Sequence, residues 1–100
     1  AAASGDGEVV SWRAAVLAAL ARAKRYPEDA RALGRNGRSA VTFTIRRDGS
    51  VVSVQLAASS GVPSLDAATL EMPRRANFPA MPAGGGASQT FTAGVRYDLR

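Results

Sequence analysis

The chain contains no cysteine and no histidine. The first absence removes disulfides and thiol nucleophiles, and the two together remove zinc-finger-type ligand sets. The second also removes imidazole, the side chain that titrates nearest neutrality. Acidic residues number only eight, and they are scattered, with Glu28-Asp29 the one adjacent pair. Sequence neighbours project in different directions, so that pair is a poor acid–base couple and reads as a solvated helix start. Ser59-Ser60-Gly61 has no base nearby to activate a hydroxyl. Gly84-Gly85-Gly86 lacks the following lysine and the strand-to-helix setting of a phosphate loop. No enzyme, cofactor or metal is therefore expected. Long apolar runs are missing too: residues 14–21 form the longest, far below the roughly 20 residues that a bilayer span needs.

What is present is one domain's worth of chain. It has 100 residues, a net charge of +5 and an ordinary 46% of apolar residues. Alanine supplies much of that fraction. The core is expected from Trp12, Val16, Leu20, Phe43, Ile45, Val54, Leu56, Leu65, Leu70, Phe91, Val95, Tyr97 and Leu99. The basic excess fits an acidic partner, a nucleic acid or an anionic membrane. Its arginines are not interleaved with stacking aromatics, so no nucleic-acid partner is expected.

Residues 1–10 read as a linker remnant and residues 11–100 as the domain. Ser11 is placed to cap a first helix, whose buried stripe is Trp12, Val16, Leu20 and Ala23, with Ala15 and Ala19 beside it. Arg13, Arg22, Lys24 and Arg25 fall on its wet side. Tyr26-Pro27 ends it, and a short helical piece follows to Leu33. From Ser39 the period becomes two, with Val41, Phe43 and Ile45 inward. Asp48-Gly49 predicts a two-residue hairpin, and Val52, Val54 and Leu56 point inward on the return strand. Ser64 is expected to cap a second long helix that buries Leu65, Ala68, Met72 and Ala76. Pro73 should kink it near Thr69 or end it at Met72. The last strand turns Phe91, Ala93, Val95, Tyr97 and Leu99 to one face, with Gly94 a candidate bulge. The fold class is α+β, with two helices packed on one face of a three-stranded antiparallel sheet in the order α-β-β-α-β.

Taken in order, these segments resemble the TonB C-terminal domain family. The likeness runs from Ser11-Trp12 to Leu99. It rests on Lys24-Arg25-Tyr26-Pro27 after the first helix, Gly37 before the strand Val41-Thr42-Phe43-Thr44-Ile45, and the hairpin at Asp48-Gly49 with Val51-Val52-Ser53-Val54. It continues with Ser59-Ser60-Gly61 ahead of Leu65-Asp66-Ala67-Ala68, and with the exit Phe78-Pro79-Ala80-Met81-Pro82. Two positions depart from the pattern: Pro73, where such helices usually keep an aliphatic residue, and Gly94, where the last strand often has proline.

The resemblance implies a periplasmic domain of an inner-membrane-anchored transducer, the anchor being absent from this chain. Its partners would be outer-membrane TonB-dependent transporters. Through its missing N-terminal part, the protein would couple an inner-membrane proton-driven motor complex to siderophore, haem or vitamin uptake. The expected contact is strand addition of a transporter's N-terminal peptide to the last strand, at Gln89, Thr90, Phe91, Thr92, Ala93, Gly94, Val95 and Arg96. In such proteins the stretch before the Tyr-Pro junction also touches the transporter, which here means Ala23, Lys24, Arg25 and Tyr26. The same edge could pair with a second copy to give a homodimer. Two alternatives stand beside this reading: a TolA-like envelope coupling domain, and a basic nucleic-acid-binding α/β module.

Overall fold

The structure, a computed structural model, describes residues 2–98, with side chains from Gly7 onward. Its elements are α1 (Ala2–Arg22), α2 (Glu28–Ala32), β1 (Gly37–Arg46), β2 (Val51–Ala58), α3 (Pro63–Arg75) and β3 (Ser88–Tyr97). The three strands form one antiparallel sheet in the order β2-β1-β3. Both long helices lie on one face of it, so the expected α+β layout holds, with the short α2 added. The core is Trp12, Val16 and Leu20 of α1, Leu65 and Met72 of α3, Val41, Phe43 and Ile45 of β1, and Phe91, Val95 and Tyr97 of β3. Val54, Leu56 and Leu70 are only half-buried. Leu99 lies outside the described residues.

The opposite face of the sheet is polar. Thr42 pairs with Thr92 and Thr44 with Thr90 across β1 and β3, each hydroxyl pair 2.9 Å apart.

Local chemistry departs from expectation at several points. Helix α1 begins at Ala2, so Ser11 lies within it and is not its cap. Arg13 is not on the wet side: it is half-buried, its guanidinium carbon 4.2 Å from the Phe91 ring centroid, and Nη1 donates to Gln89 Oε1 at 2.6 Å. The β1–β2 hairpin forms, but its loop holds three residues, Arg47, Asp48 and Gly49. The Arg46 N–H donates to Ser50 O at 2.8 Å, and Gly49 takes φ +92°. A type I turn closed by a left-handed glycine matches strand twist as a two-residue type I turn would not. Asp48 accepts from Ser50 Oγ and from the Ser50 N–H, and these bonds hold its carboxyl below the ordinary value.

Strand β2 carries two irregularities. Ile45 faces Val51 while Thr44 faces Ser53, and Ala40 faces Ala58 while Val41 faces Leu56. Val52 and Ala57 are thus extra residues, as in a β-bulge. Val52 is therefore exposed, and Val51 takes the inward place expected of it.

Helix α3 starts one residue ahead of Ser64, with Val62 as N-cap and Pro63 in the first turn. Proline fits there because that N–H has no partner within the helix. Asp66 reaches back out of the first turn. It accepts from Ser59 Oγ (2.5 Å), from the Ser60 N–H (2.8 Å) and from Ser60 Oγ (2.7 Å). Burial alone would raise the Asp66 pKa, but these three bonds outweigh it and hold the carboxyl below its ordinary value. The Ser-Ser-Gly turn and the Leu-Asp-Ala-Ala helix start are therefore one hydrogen-bonded unit.

Pro73 does not end the helix at Met72, since α3 continues to Arg75. The fully buried stripe is Leu65, Thr69, Met72 and Pro73; of the other expected members, Ala68 is half-buried against the core and Ala76 is half-buried. Pro73 falls in the last turn, where its apolar ring fills core space.

Thr69 is buried together with Ser39. Its Oγ1 donates to the Leu65 carbonyl at 2.8 Å, so it accepts from Ser39 Oγ at 2.5 Å and from the Tyr97 hydroxyl at 3.0 Å. Burial pushes the Tyr97 phenol above its ordinary value of 10.0. The Thr69 hydroxyl offsets part of this, and the Asp66 charge adds to the rise. A folded-state pKa above the unfolded one means that this stabilisation is complete below about pH 10 and is lost as pH rises through the folded value. Thermal unfolding followed across that range should show a steeper alkaline fall in the wild type than in Tyr97→Phe. Equal slopes would remove Tyr97 as the cause.

Candidate functional site

A sheet of three strands has two edges, and here they differ. The β2 edge is broken by its two bulges, which twist a strand and discourage further pairing. The β3 edge is regular, matching β1 over ten consecutive residue pairs from Arg46↔Ser88 to Gly37↔Tyr97. Gly94 sits opposite Ala40 within that register, so no bulge forms there.

The direction of the free backbone groups follows from one contact. Lys24 Nζ donates to the Arg96 carbonyl at 2.7 Å. Both backbone groups of a residue in an antiparallel strand point the same way, toward the partner or away from it. Lys24 approaches from outside the sheet, so Arg96 points outward, and by alternation so do Gly94, Thr92 and Thr90. The close Thr42–Thr92 and Thr44–Thr90 side chains agree, because non-hydrogen-bonded pairs bring side chains nearer. All four outward residues are exposed.

Gln89, Phe91, Ala93 and Val95 turn their backbone groups to β1. The Phe91 and Val95 side chains belong to the core. Of the expected strand positions, then, the structure brings Thr90, Thr92, Gly94 and Arg96 to the open edge and turns the other four inward.

Helix α1 runs beside this strand. Arg13 meets Gln89 at one end, Trp12 stands edge-on to Phe91 with ring centroids 5.5 Å apart, and Lys24 meets Arg96 at the other end. Between them, Leu17, Leu20 and Ala21 wall a groove of ≈ 510 Å³ whose other side is β3 from Thr92 to Arg96. Leu17 is 44% exposed, so this wall is apolar and open. The groove was not visible from the sequence, because Leu17 lies off the buried stripe. The signal that could have found it is the second apolar row Val10, Ala14, Leu17 and Ala21, spaced four, three and four.

The residues ahead of the Tyr-Pro junction form a second feature. Ala23, Lys24 and Arg25 line a shallow cleft of ≈ 370 Å³ together with Arg22 and Arg75. Of these, Arg75 pairs with Glu71 at 3.3 Å. The cleft is basic and suits an acidic group. Tyr26 has another role: its ring stands edge-on to Tyr97 at 5.5 Å, and its hydroxyl donates to the Arg35 carbonyl beside Asn36. It locks the junction to the core.

Among the described residues no group of His, Cys, Asp or Glu could hold a metal ion, and no helix is long and apolar enough to cross a membrane.

Residues 22–99 match the family described as Gram-negative bacterial TonB protein C-terminal. The chain belongs to the TonB C-terminal family. It is 45% identical over 74 residues to Protein TonB of Pseudomonas putida, covering 74% of this chain and 30% of that protein. It is 34% identical over 64 residues to Protein TonB of Haemophilus influenzae, covering 64% of this chain and 24% of that protein. The chain thus spans less than a third of the length of these curated relatives. The Helicobacter pylori TonB C-terminal domain, solved by NMR, superposes with a TM-score of 0.75 at 27% identity, covering 90% of this chain and 82% of that one. The HasB C-terminal domain superposes with a TM-score of 0.55 at 36% identity, covering 89% and 70%. The TonB motifs quoted from the sequence acquire physical roles here: the Tyr-Pro junction is the Tyr26–Tyr97 lock, and the Ser-Ser-Gly motif is the Asp66 unit.

Proposed function

We propose that this domain is the partner-binding end of a TonB-type energy transducer and that it works by strand addition. A transporter's N-terminal peptide pairs in the periplasm with the β3 edge. The whole protein, anchored in the inner membrane, then transmits the work of a proton-driven motor to an outer-membrane transporter of siderophore, haem or vitamin. The domain itself is a binding module and carries out no reaction. The observation that carries this reading is the regular β3 edge, with the backbone groups of Thr90, Thr92 and Gly94 turned outward beside an apolar groove.

The energetics suit a coupler that must release. Each backbone hydrogen bond contributes about 0.5–1.5 kcal/mol net. A handful of them, less the cost of association, makes the binding weak and reversible. Backbone pairing also lets one edge serve several peptides. The basic cleft at Ala23, Lys24 and Arg25 supplies a second contact for an acidic surface.

An NMR titration with short synthetic peptides from the N-termini of outer-membrane transporters of the same cell tests this. Amide shifts should concentrate at residues 89–98, with weaker ones at residues 23–26. Thr92→Pro removes one outward N–H, and proline is tolerated on an edge strand with that N–H facing solvent. It should weaken binding about tenfold, whereas Thr92→Val, which keeps the N–H, should not. Equal binding by both variants would refute strand addition. Strong, salt-sensitive shifts with nucleic acid and none with peptides would favour a basic nucleic-acid module instead.

A further inference from the structure

Lys24 occupies an unusual position relative to the open edge. Two tight bonds end α1, Ala23 N–H to Leu20 O at 3.0 Å and Lys24 N–H to Ala21 O at 3.2 Å, and they deliver the Lys24 side chain to the end of β3. Its ammonium lies 5.6 Å from the centroid of the Tyr97 ring and donates to the Arg96 carbonyl at 2.7 Å. Among the described residues, that carbonyl is the one outward β3 acceptor with a side-chain donor on it. Earlier along the strand, Gly94, Thr92 and Thr90 present the same kind of group with no side-chain donor on it among the described residues.

We infer that Lys24 is a register stop: by capping the Arg96 carbonyl it halts an added strand short of that acceptor and leaves the carbonyls of Thr90, Thr92 and Gly94 as the usable ones. This rests on the strand-addition reading and refines it. An incoming backbone N–H would have to displace a charged donor to reach Arg96, and a hydrogen bond from a charged donor is stronger than one from a neutral amide. The ammonium's positive charge also faces the positive end of any N–H aimed at that carbonyl. A lysine on an edge strand commonly limits unwanted pairing. Here the lysine comes from a neighbouring helix end and covers one carbonyl, so it sets where pairing stops without closing the edge.

Lys24→Met tests the stop, because it keeps an unbranched apolar stem over Tyr97 and removes both donor and charge. Lys24→Arg keeps both and serves as control. The readout is amide hydrogen exchange of the bound peptide, whose N–H groups pair with the outward carbonyls, and of the β3 edge amides, with Kd, during titration with the transporter peptides. In the wild type and in Lys24→Arg, the protected peptide amides should be those opposite the Thr90, Thr92 and Gly94 carbonyls. In Lys24→Met one further peptide amide, opposite the Arg96 carbonyl, should gain protection, and binding should tighten about two- to tenfold, the worth of one added bond. Equal protection and equal Kd in wild type and Lys24→Met would overturn the register stop and leave strand addition standing. Binding by Lys24→Met alone would support the stop in a stricter form. Peptide shifts confined to residues 23–26 in every protein, with the edge amides unprotected, would overturn strand addition and the stop with it, and so would absence of binding by all three.

Discussion

Trp12→Ala is expected to cost about 3–5 kcal/mol of stability, a large share of what a domain of this size has. Trp12 does three things at once. The residue is only 5% exposed, in the core between α1 and the sheet. It stands edge-on to Phe91 at 5.5 Å. Its Nε1–H donates to the Pro79 carbonyl at 2.8 Å, tying α1 to the irregular segment after α3. Alanine leaves a cavity, loses the ring contact and leaves Pro79 O without that donor. A fall in Tm of roughly 15–30 °C should follow in a thermal melt. Trp12→Phe keeps the ring volume in part and lacks the donor, so it should recover most of the loss but not all. A fall of only a few degrees for alanine would mean that α1 is not held to the sheet through this residue.

Gly49→Ala should be the other severe change, at about 2–4 kcal/mol. Gly49 closes the β1–β2 loop at φ +92°, where a Cβ is strained, and that Cβ would stand 2.6 Å from the Phe78 carbonyl oxygen. The carbonyl cannot step aside easily. The Met81 N–H donates to Arg47 O at 2.8 Å, and the Phe78 ring stacks on Phe43 with centroids 5.6 Å apart. Gly34 separates the two causes: it has φ +67°, but a Cβ there would meet nothing within 4 Å. Gly34→Ala should therefore cost only the conformational part, about 1 kcal/mol. Urea unfolding of both variants measures the difference. Equal costs would mean that the close approach to Phe78 carries no weight.

Much of this was legible beforehand, and for identifiable reasons. Strands β1 and β3 alternate strictly, so Phe43, Ile45, Phe91 and Val95 could be turned inward by period alone. The return strand misled because two extra residues shift its phase, and the side-chain period of two amplifies such a shift into a change of face. Nothing in Val51-Val52-Ser53 marks which valine is the extra one. Pro73 misled because its usual cost applies to a helix interior, whereas it sits near the C-terminal end and is buried on the core side. Thr69 escaped notice because a threonine on an apolar helix face signals nothing until Ser39 and Tyr97 are brought to it. The site was legible as a strand but not as an edge with a direction. Which half of β3 faces outward depends on pairing with β1, and the Lys24–Arg96 bond that reports it joins residues far apart in sequence. The apolar wall on α1 was present as Leu17 and Ala21 but looked like surplus beside a complete stripe.

The unequal edges of the sheet also govern how many copies can join. A sheet with two open sides is a bifunctional monomer in the polymer chemist's sense and can grow without limit. The bulges in β2 leave this one with a valence of one. If two copies meet through β3, each consumes the other's only open side, and the assembly closes at two. A peptide added to that edge, as proposed above, would have the same effect, acting as a chain terminator. The domain can therefore keep a sticky strand in working order without becoming a seed for fibres.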